Sequence, residues 1–369
     1  MSVDHDVDGA VASGAAANGA VAGGKRGGGA DAGLRARHDA LVAGGPPLRI
    51  RERAARLGVP EAQLVSEQLG VAATPLAGPA QRLFRELGSI GRVMALTRND
   101  WCVHERHGRY EKVMAEGPVG LVLGPDIDLR MFFEHWGHAW AVAENGRASL
   151  QFFDGAGCAI HKVYRTDETD AAAWDALIER FARPDAPAPS FAPIVEPAAP
   201  DRVGDRAALR ARWLALQDTH DFAPMLRDLD LSRHAAIAGV GADLAQQVPN
   251  QTVEAVLQAA ADTALPIMCF VGNRSMIQIH SGPVAKLMRT GPWYNVLDPT
   301  FNLHLNTAAI ADSWIVNKPS RDGWITSLEL FTADGTLIVQ FFGARKPGIP
   351  EQPAWRALLA ERCPEPLHG

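Results

Sequence analysis

The chain is short of the residues that mark a secreted, membrane-embedded or nucleic-acid-binding protein. Cysteine is scarce: Cys102, Cys158, Cys269 and Cys363 are scattered through 369 residues with no Cys-x-x-Cys pair. That excludes a disulfide scaffold and fits free thiols in a reducing compartment. Positive charge is not in excess, since 36 basic against 42 acidic residues leave a net charge of −6. A general nucleic-acid binder usually carries a basic surface, so no nucleic-acid partner is expected. No apolar run approaches the roughly 18–20 residues of a membrane span. Met1 to Gly33 lacks aromatic and large aliphatic residues and has no basic stretch ahead of an apolar one. It is a poor signal peptide and cannot offset its own ordering entropy, so residues 1–33 are expected to be disordered and the protein cytoplasmic. There is also no Gly-rich phosphate loop, no His-Glu-x-x-His and no Gly-x-Ser-x-Gly.

What is present is the same pattern twice. Leu34-Arg-Ala-Arg37 returns as Leu209-Arg-Ala-Arg212, an offset of 175. Asn99 matches Asn273, Pro125 matches Pro299 and Trp140 matches Trp314 at 174; Phe153 and Gly157 match Phe331 and Gly335 at 178; Trp174 matches Trp355 at 181. The order holds and the offset drifts only by small insertions, so a whole domain is duplicated; a solenoid repeat would be only about 20–50 residues long. Cys102 aligns with Met276 and Cys158 with Thr336, so the thiols are not part of the repeated framework. With 47% hydrophobic residues each half can bury a core.

The first half runs over 34–182, a Pro/Ala-rich linker over 183–204, and the second half over 205–363. Each half opens with helical spacing, as in Arg51 to Leu69, interrupted at Pro60, and Ala223 to Ala261. Each then turns to β-rich runs. Arg92 to Thr97 corresponds to Ile267 to Gly272, Val119 to Gly124 to Trp293 to Asp298, Ala139 to Val142 to Ser313 to Val316, and Ser149 to Asp154 to Ser327 to Thr332. Short turns between successive runs predict an antiparallel meander, and helices around Trp174 and Trp355 make each half α+β.

Candidate chemistry lies in histidine and arginine placement. His104-Glu-Arg-His107 and His135-Trp-Gly-His138 are both His-x-x-His, which on a helix could share a face and hold a metal such as zinc. The first pair falls on a strand, where positions three apart face opposite ways. Surface or hydrogen-bonded histidines explain both pairs equally. Across the repeat His104 aligns with Gln278 and Arg130 with His304. His220 belongs to the second half alone, because its counterpart falls in the Gly44-Gly-Pro-Pro47 turn. From spacing, His220 reads as a cap, a surface group or a ligand.

Several segments together resemble one family. Asn99-Asp-Trp-Cys-Val-His-Glu, Asp126-Ile-Asp-Leu-Arg-Met-Phe, Phe270-Val-Gly-Asn-Arg, Asp298-Pro-Thr-Phe-Asn-Leu-His-Leu and Asp322-Gly-Trp-Ile-Thr-Ser-Leu-Glu-Leu-Phe are similar to the HemS/HmuS family. Its members are bacterial cytoplasmic haemin-binding proteins of haem uptake and iron acquisition. The resemblance spans about residues 34 to 360. It implies haem b (haemin) as ligand, with His220 ligating the iron and Arg130 reaching the opposite face. Pocket and propionate positions fall on Arg233, Phe270, Lys318, Gln340 and Arg345, and a secondary haem-binding histidine on His104. Phe342 and Trp324 stand where relatives carry tyrosine, and His280 where phenylalanine occurs. The implied function is a carrier that binds haem between the halves, with a haem ABC importer as donor and a haem oxygenase as acceptor. The alternative is a haem-degrading enzyme, with Arg130 as a charge-stabilising group. The resemblance leaves both open, since each needs the same ligand.

Overall fold

The computed structural model describes residues 31–45, 48–144, 146–195, 200 and 202–368. Of the stretch 1–33 expected to be disordered, residues 1–30 lie outside them, whereas residues 31–33 open a helix and correct that expectation; the Pro46-Pro47 part of the turn opposite His220 also lies outside.

The first half carries helices α1 (Asp31–Ala43), α2 (Ile50–Leu57), α3 (Glu61–Ser66), α4 (Ala80–Glu86) and α5 (Ala171–Phe181). Its strands are β1 (Ala73–Pro75), β2 (Gly91–Arg98), β3 (Cys102–Gly108), β4 (Val113–Met114), β5 (Val119–Leu123), β6 (Asp128–Phe132), β7 (Trp136–Glu144), β8 (Arg147–Asp154) and β9 (Ala159–Thr169). The second half carries α6 (Arg206–Leu214), α7 (Phe222–Asp228), α8 (Arg233–Gly239), α9 (Thr252–Asp262) and α10 (Pro353–Ala360). Its strands are β10 (Ala245–Val248), β11 (Ile267–Asn273), β12 (Met276–Gly282), β13 (Leu287–Thr290), β14 (Trp293–Leu297), β15 (Phe301–Asn306), β16 (Asp312–Ser320), β17 (Gly323–Phe331) and β18 (Leu337–Gly343). The expected break at Pro60 is real. Gly58 closes α2 at φ 68°, a left-handed conformation that glycine adopts without strain, and Pro60 caps α3.

The pairing is antiparallel throughout, but the meanders do not stay within their halves. One nine-stranded sheet runs β1-β7-β8-β9-β2-β3-β15-β14-β13, the other β10-β16-β17-β18-β11-β12-β6-β5-β4. Each half therefore donates three strands to the other half's sheet. After β3 the chain leaves its own sheet, builds β4 to β6 against β12, and returns as β7. The two main cores are shared accordingly. One joins Leu303 and Leu305 of the first sheet to Cys269, Val271 and Phe341 of the second, under α9 and α10. The other joins Val93, Leu150 and Val163 to Val122, Leu129 and Met131.

The exchange is pinned by a repeated asparagine. Asn99 Nδ2 donates to the carbonyls of Gly272 (3.1 Å) and Ile338 (2.8 Å), and Asn273 Nδ2 donates to those of Arg98 (3.1 Å) and Ile160 (2.9 Å). Each half thus ties down the strand ends of the other. The linker also docks: the Ala192 N–H donates to the Gly155 carbonyl at 3.0 Å, and Phe191 packs edge-on against His138.

Candidate functional site

Strand register brings the expected site residues together. Residues directly opposed on neighbouring strands share a face, as do positions two apart. Arg130 on β6 opposes Leu121 on β5 and Ile277 on β12, and Ile277 opposes Gly272 on β11. Two residues from Gly272, Phe270 opposes Gln340 on β18, which opposes Glu329 on β17. Four residues from Glu329, Ile325 opposes Lys318 on β16. One face of the second sheet therefore carries Arg130, Phe270, Gln340, Glu329 and Lys318. The other face, with Leu129, Met131, Cys269, Val271 and Phe341, is buried in the shared cores.

That face is covered at one end and open at the other. Over β16 the helices α6 to α8 close it with Trp213, Phe222, Leu226 and Ile237. Over β18, β11, β12, β6 and β5 it is a shelf of half-buried Phe270, Phe342, Gln340, Ile277, Arg130 and Leu121, running out to exposed Phe132 and Leu123. Phe270 and Phe342 meet edge to face at 5.0 Å.

His220 lies in a 3-10 turn (Thr219–Asp221) just ahead of α7, the helix whose Phe222 belongs to the cover. Its side chain is 80% exposed. Asp218 Oδ1 accepts the His220 backbone N–H at 2.9 Å and lies 2.6 Å from the ring Nδ1. The His220 backbone N–H is the main reason the Asp218 carboxyl stays below its ordinary range. The turn is fastened to the sheet where the Arg321 N–H donates to the Gln217 carbonyl at 2.9 Å. Arg345 lies in the same region. It donates to Asp322 at 3.3 Å and its charge acts on Asp218.

Glu329 is fully buried and accepts from Arg233 Nε (2.6 Å) and Nη2 (2.9 Å), from Lys318 Nζ (2.8 Å) and from Ser327 (2.9 Å). Burial opposes its ionisation, but the Arg233 and Lys318 charges outweigh burial and hold the carboxyl well below the usual range. Burial brings Lys318 down to about 8 against the pull of Glu329. Both cations lie over the Phe222 ring, at 4.9 Å for Arg233 and 4.7 Å for Lys318. Lys318 is 3% exposed, so it is not a rim cation as expected; Arg233, with a quarter of its side chain exposed, is the accessible end of the triad. Arg130 is paired with Asp128 two residues back on the same face.

The structure does not bring His104 to this group. It is fully buried on the core face of β3, edge-on to Phe301 at 5.0 Å, with His280 stacked on the other side of that ring at 3.7 Å. Burial holds the His104 imidazole well below its ordinary value, which explains a core histidine and leaves no exposed second ligand there. His138 stacks on Trp140 beside a cavity of about 370 Å³ in the first half, lined also by Trp136, Pro187 and Pro189. Among the described residues no three His, Cys, Asp or Glu groups are placed to hold a metal ion, so the zinc reading has no site. All four cysteines are free. Among the described residues no helix is long and apolar enough to cross a membrane.

Sequence reasoning missed the acidic partners. Asp218-x-His220 and Asp128-x-Arg130 carried a local signal, since positions two apart lie on one side of extended chain. Glu329, 96 residues from Arg233, carried none. Chemically, an apolar shelf with a solvent-facing imidazole at one side, a guanidinium on the sheet and arginines at the edge suits a flat apolar molecule with an anionic margin.

Comparison with known proteins agrees. The model of a family described as the haemin-degrading HemS.ChuX domain matches residues 58–181 and again 230–361. The hemin transport protein HmuS of Yersinia pestis is 41% identical over 89% of this chain and 97% of its own. The holo structure of PhuS, a heme-binding protein from Pseudomonas aeruginosa, superposes with a TM-score of 0.86 at 45% identity, covering 89% of this chain and 97% of PhuS. The heme degrading enzyme ChuS of Escherichia coli O157:H7 gives 0.85 at 36% identity, covering 90% of this chain and 100% of ChuS. The duplicated match and the identity over nearly the whole length carry one conclusion: this chain belongs to the HemS family of haemin-handling proteins.

Proposed function

We propose that this protein binds haem on the open shelf of the second sheet and passes it on intact, as a cytoplasmic haem carrier. The observation that carries the reading is that Arg130, Phe270 and Gln340, from both halves of the chain, share one open sheet face, while His220 is exposed in the turn ahead of the helices that cover the rest of that face. His220 would ligate the iron through its imidazole. Phe270, Phe342 and Leu121 would cover the apolar macrocycle and exclude water from it. Arg130 would approach the face opposite His220. Arg233 and Arg345, each holding one acidic partner, would pair with the propionates at the edge; Lys318 supports Arg233 through Glu329 rather than touching the ligand. Gln340 would supply a neutral polar contact. The likeness to a hemin transport protein and to a heme-binding protein supports the ligand class. The donor importer and acceptor oxygenase remain part of this proposal.

The test is a haemin titration followed at the Soret band. His220→Ala is expected to lose the absorption pattern of the main complex; an unchanged band and stoichiometry would remove His220 from the reading. A second reading is favoured by the likeness to the heme degrading enzyme ChuS: the same residues would support opening of the ring and release of iron. Single-turnover reduction of the loaded protein with catalase present separates the two. A ring-opened tetrapyrrole and free iron make it an enzyme. A stable Soret band, with transfer of intact haem to a separate haem oxygenase, makes it a carrier.

A further inference from the structure

We infer that Asp218 is a positioning residue for the His220 ligand, fixing which ring nitrogen faces the iron and strengthening that nitrogen as a donor. The inference rests on the reading of His220 as the haem ligand and goes beyond it, because nothing in that reading says what orients the imidazole.

An imidazole with 80% of its side chain exposed has no surrounding wall to select its rotamer or tautomer. One carboxylate oxygen performs both selections here. Asp218 Oδ1 takes the His220 backbone N–H at 2.9 Å, which fixes the turn, and sits 2.6 Å from Nδ1, which fixes the ring. An ionised carboxylate can only accept, so the proton of the neutral imidazole resides on Nδ1 and the Nε2 lone pair is free. Asp218 is itself held. It precedes the turn as its cap, and the adjacent Gln217 carbonyl is fastened by the Arg321 N–H from the β16–β17 turn. The carboxylate thus holds one ring nitrogen and leaves the other in line to donate.

The chemistry follows from that line. With Nε2 donating to a bound iron, the His220 Nδ1–H would become more acidic and its charge-assisted bond to Asp218 would strengthen. The carboxylate thus stabilises the ligated state more than the free one, and ferric more than ferrous, because the ferric ion withdraws more charge. Outer partners of this kind typically change metal affinity about 10- to 100-fold when removed. The first half has no counterpart, since the position opposite His220 falls in the Gly44 to Pro47 turn.

A purely structural role, capping the turn, makes a different prediction. Asparagine caps a helical turn about as well as aspartate but presents a neutral acceptor, and serine caps yet is too short to reach Nδ1. The experiment compares wild type, Asp218→Asn, Asp218→Ser and His220→Ala by haemin titration in ferric and ferrous states. It also records the iron–imidazole stretching frequency of the ferrous complex by resonance Raman. The expected result is a lower stretching frequency in both Asp218 variants and ferric affinity about 10- to 100-fold weaker, with a smaller loss in the ferrous state. A wild-type frequency and affinity in Asp218→Asn, with His220→Ala having lost the Soret band, overturns the inference and leaves the His220 reading standing. An unchanged Soret band in His220→Ala overturns that reading and the inference with it.

Discussion

Each cation expected at the site already holds a carboxylate: Arg130 has Asp128, Arg345 has Asp322, and Arg233 and Lys318 share Glu329. An incoming anion therefore meets oriented guanidinium groups, not freely moving ones, and meets little net charge. The triad around Glu329 carries one positive charge in excess, presented through Arg233. Its buried members depend on one another. Glu329→Gln leaves Lys318 and most of Arg233 without a counter-charge in a low-dielectric site. Such a change is expected to cost about 3–5 kcal/mol of stability. Urea unfolding measures it, and a loss under 1 kcal/mol would show that water reaches the triad. The same variant should weaken haemin binding through a displaced Arg233, even under conditions where it stays folded.

At the scale of elements, the joints between strands and loops matter most. Asn273 sits at the β11–β12 turn and satisfies two carbonyls of the first half. Asn273→Ala strands both, at about 1–3 kcal/mol each where they are buried, and the melting temperature should fall accordingly. A variant as stable as wild type would mean that water replaces the amide. A second joint holds the loop between β18 and α10, which carries Arg345. There Thr326 on β17 donates its N–H to Glu351 at 2.6 Å and its hydroxyl at 2.9 Å, while its carbonyl accepts from Trp355 at 2.9 Å. Burial raises the Glu351 carboxyl from 4.5 to about 7, against the hydrogen bonds from Thr326 and the charges of Arg356 and Arg345. The folded state thus holds this proton more tightly than the unfolded chain. The group's contribution is full below pH 4.5 and is lost as pH rises through 7. Glu351→Gln should remove that dependence and make the protein more stable than wild type at pH 8, by up to about 3 kcal/mol. Parallel melting curves at pH 5 and pH 8 for the two proteins check it; an identical pH dependence in both would place the proton elsewhere.

For the whole molecule, the exchange of β4–β6 for β13–β15 decides where function can sit. Arg130 belongs to the first half by sequence and to the second sheet by hydrogen bonding, so no half alone contains the proposed site. A polypeptide of residues 205–363 lacks Arg130 and exposes β12 as an open sheet edge, a surface that invites aggregation. It is expected to bind haemin poorly, and addition of residues 34–182 should restore a one-to-one complex by supplying the missing strands. Wild-type haemin affinity in the isolated second half would refute this. The exchange also explains why one face of the pair stays open. At the first-sheet position corresponding to Gln340, by the offset of 178, stands Lys162, buried and ion-paired with Glu61 of α3. The first sheet is closed there by a helix held with a salt bridge, whereas the second keeps neutral Gln340 and Phe270 on an uncovered shelf.

The sequence alone determined the duplication, most of the strands and helices, and the family, and through the family resemblance it marked His220 and Arg130 as candidates. Order, period and spacing survive in one dimension. Asn99 and Asn273 were visible as a repeated pair, though not as reciprocal clasps. Only the tertiary structure decided that three strands of each half change sheets, because antiparallel edges of two similarly built halves can pair at home or across, and local pattern is the same for both. Only it decided that Lys318 is buried on Glu329 and His104 walled in beside Phe301. Burial depends on which face a neighbouring strand or helix covers, and for the exchanged strands that follows from pairing between residues 145 (Met131 with Met276) to 203 (Cys102 with Leu305) positions apart, which no local period records.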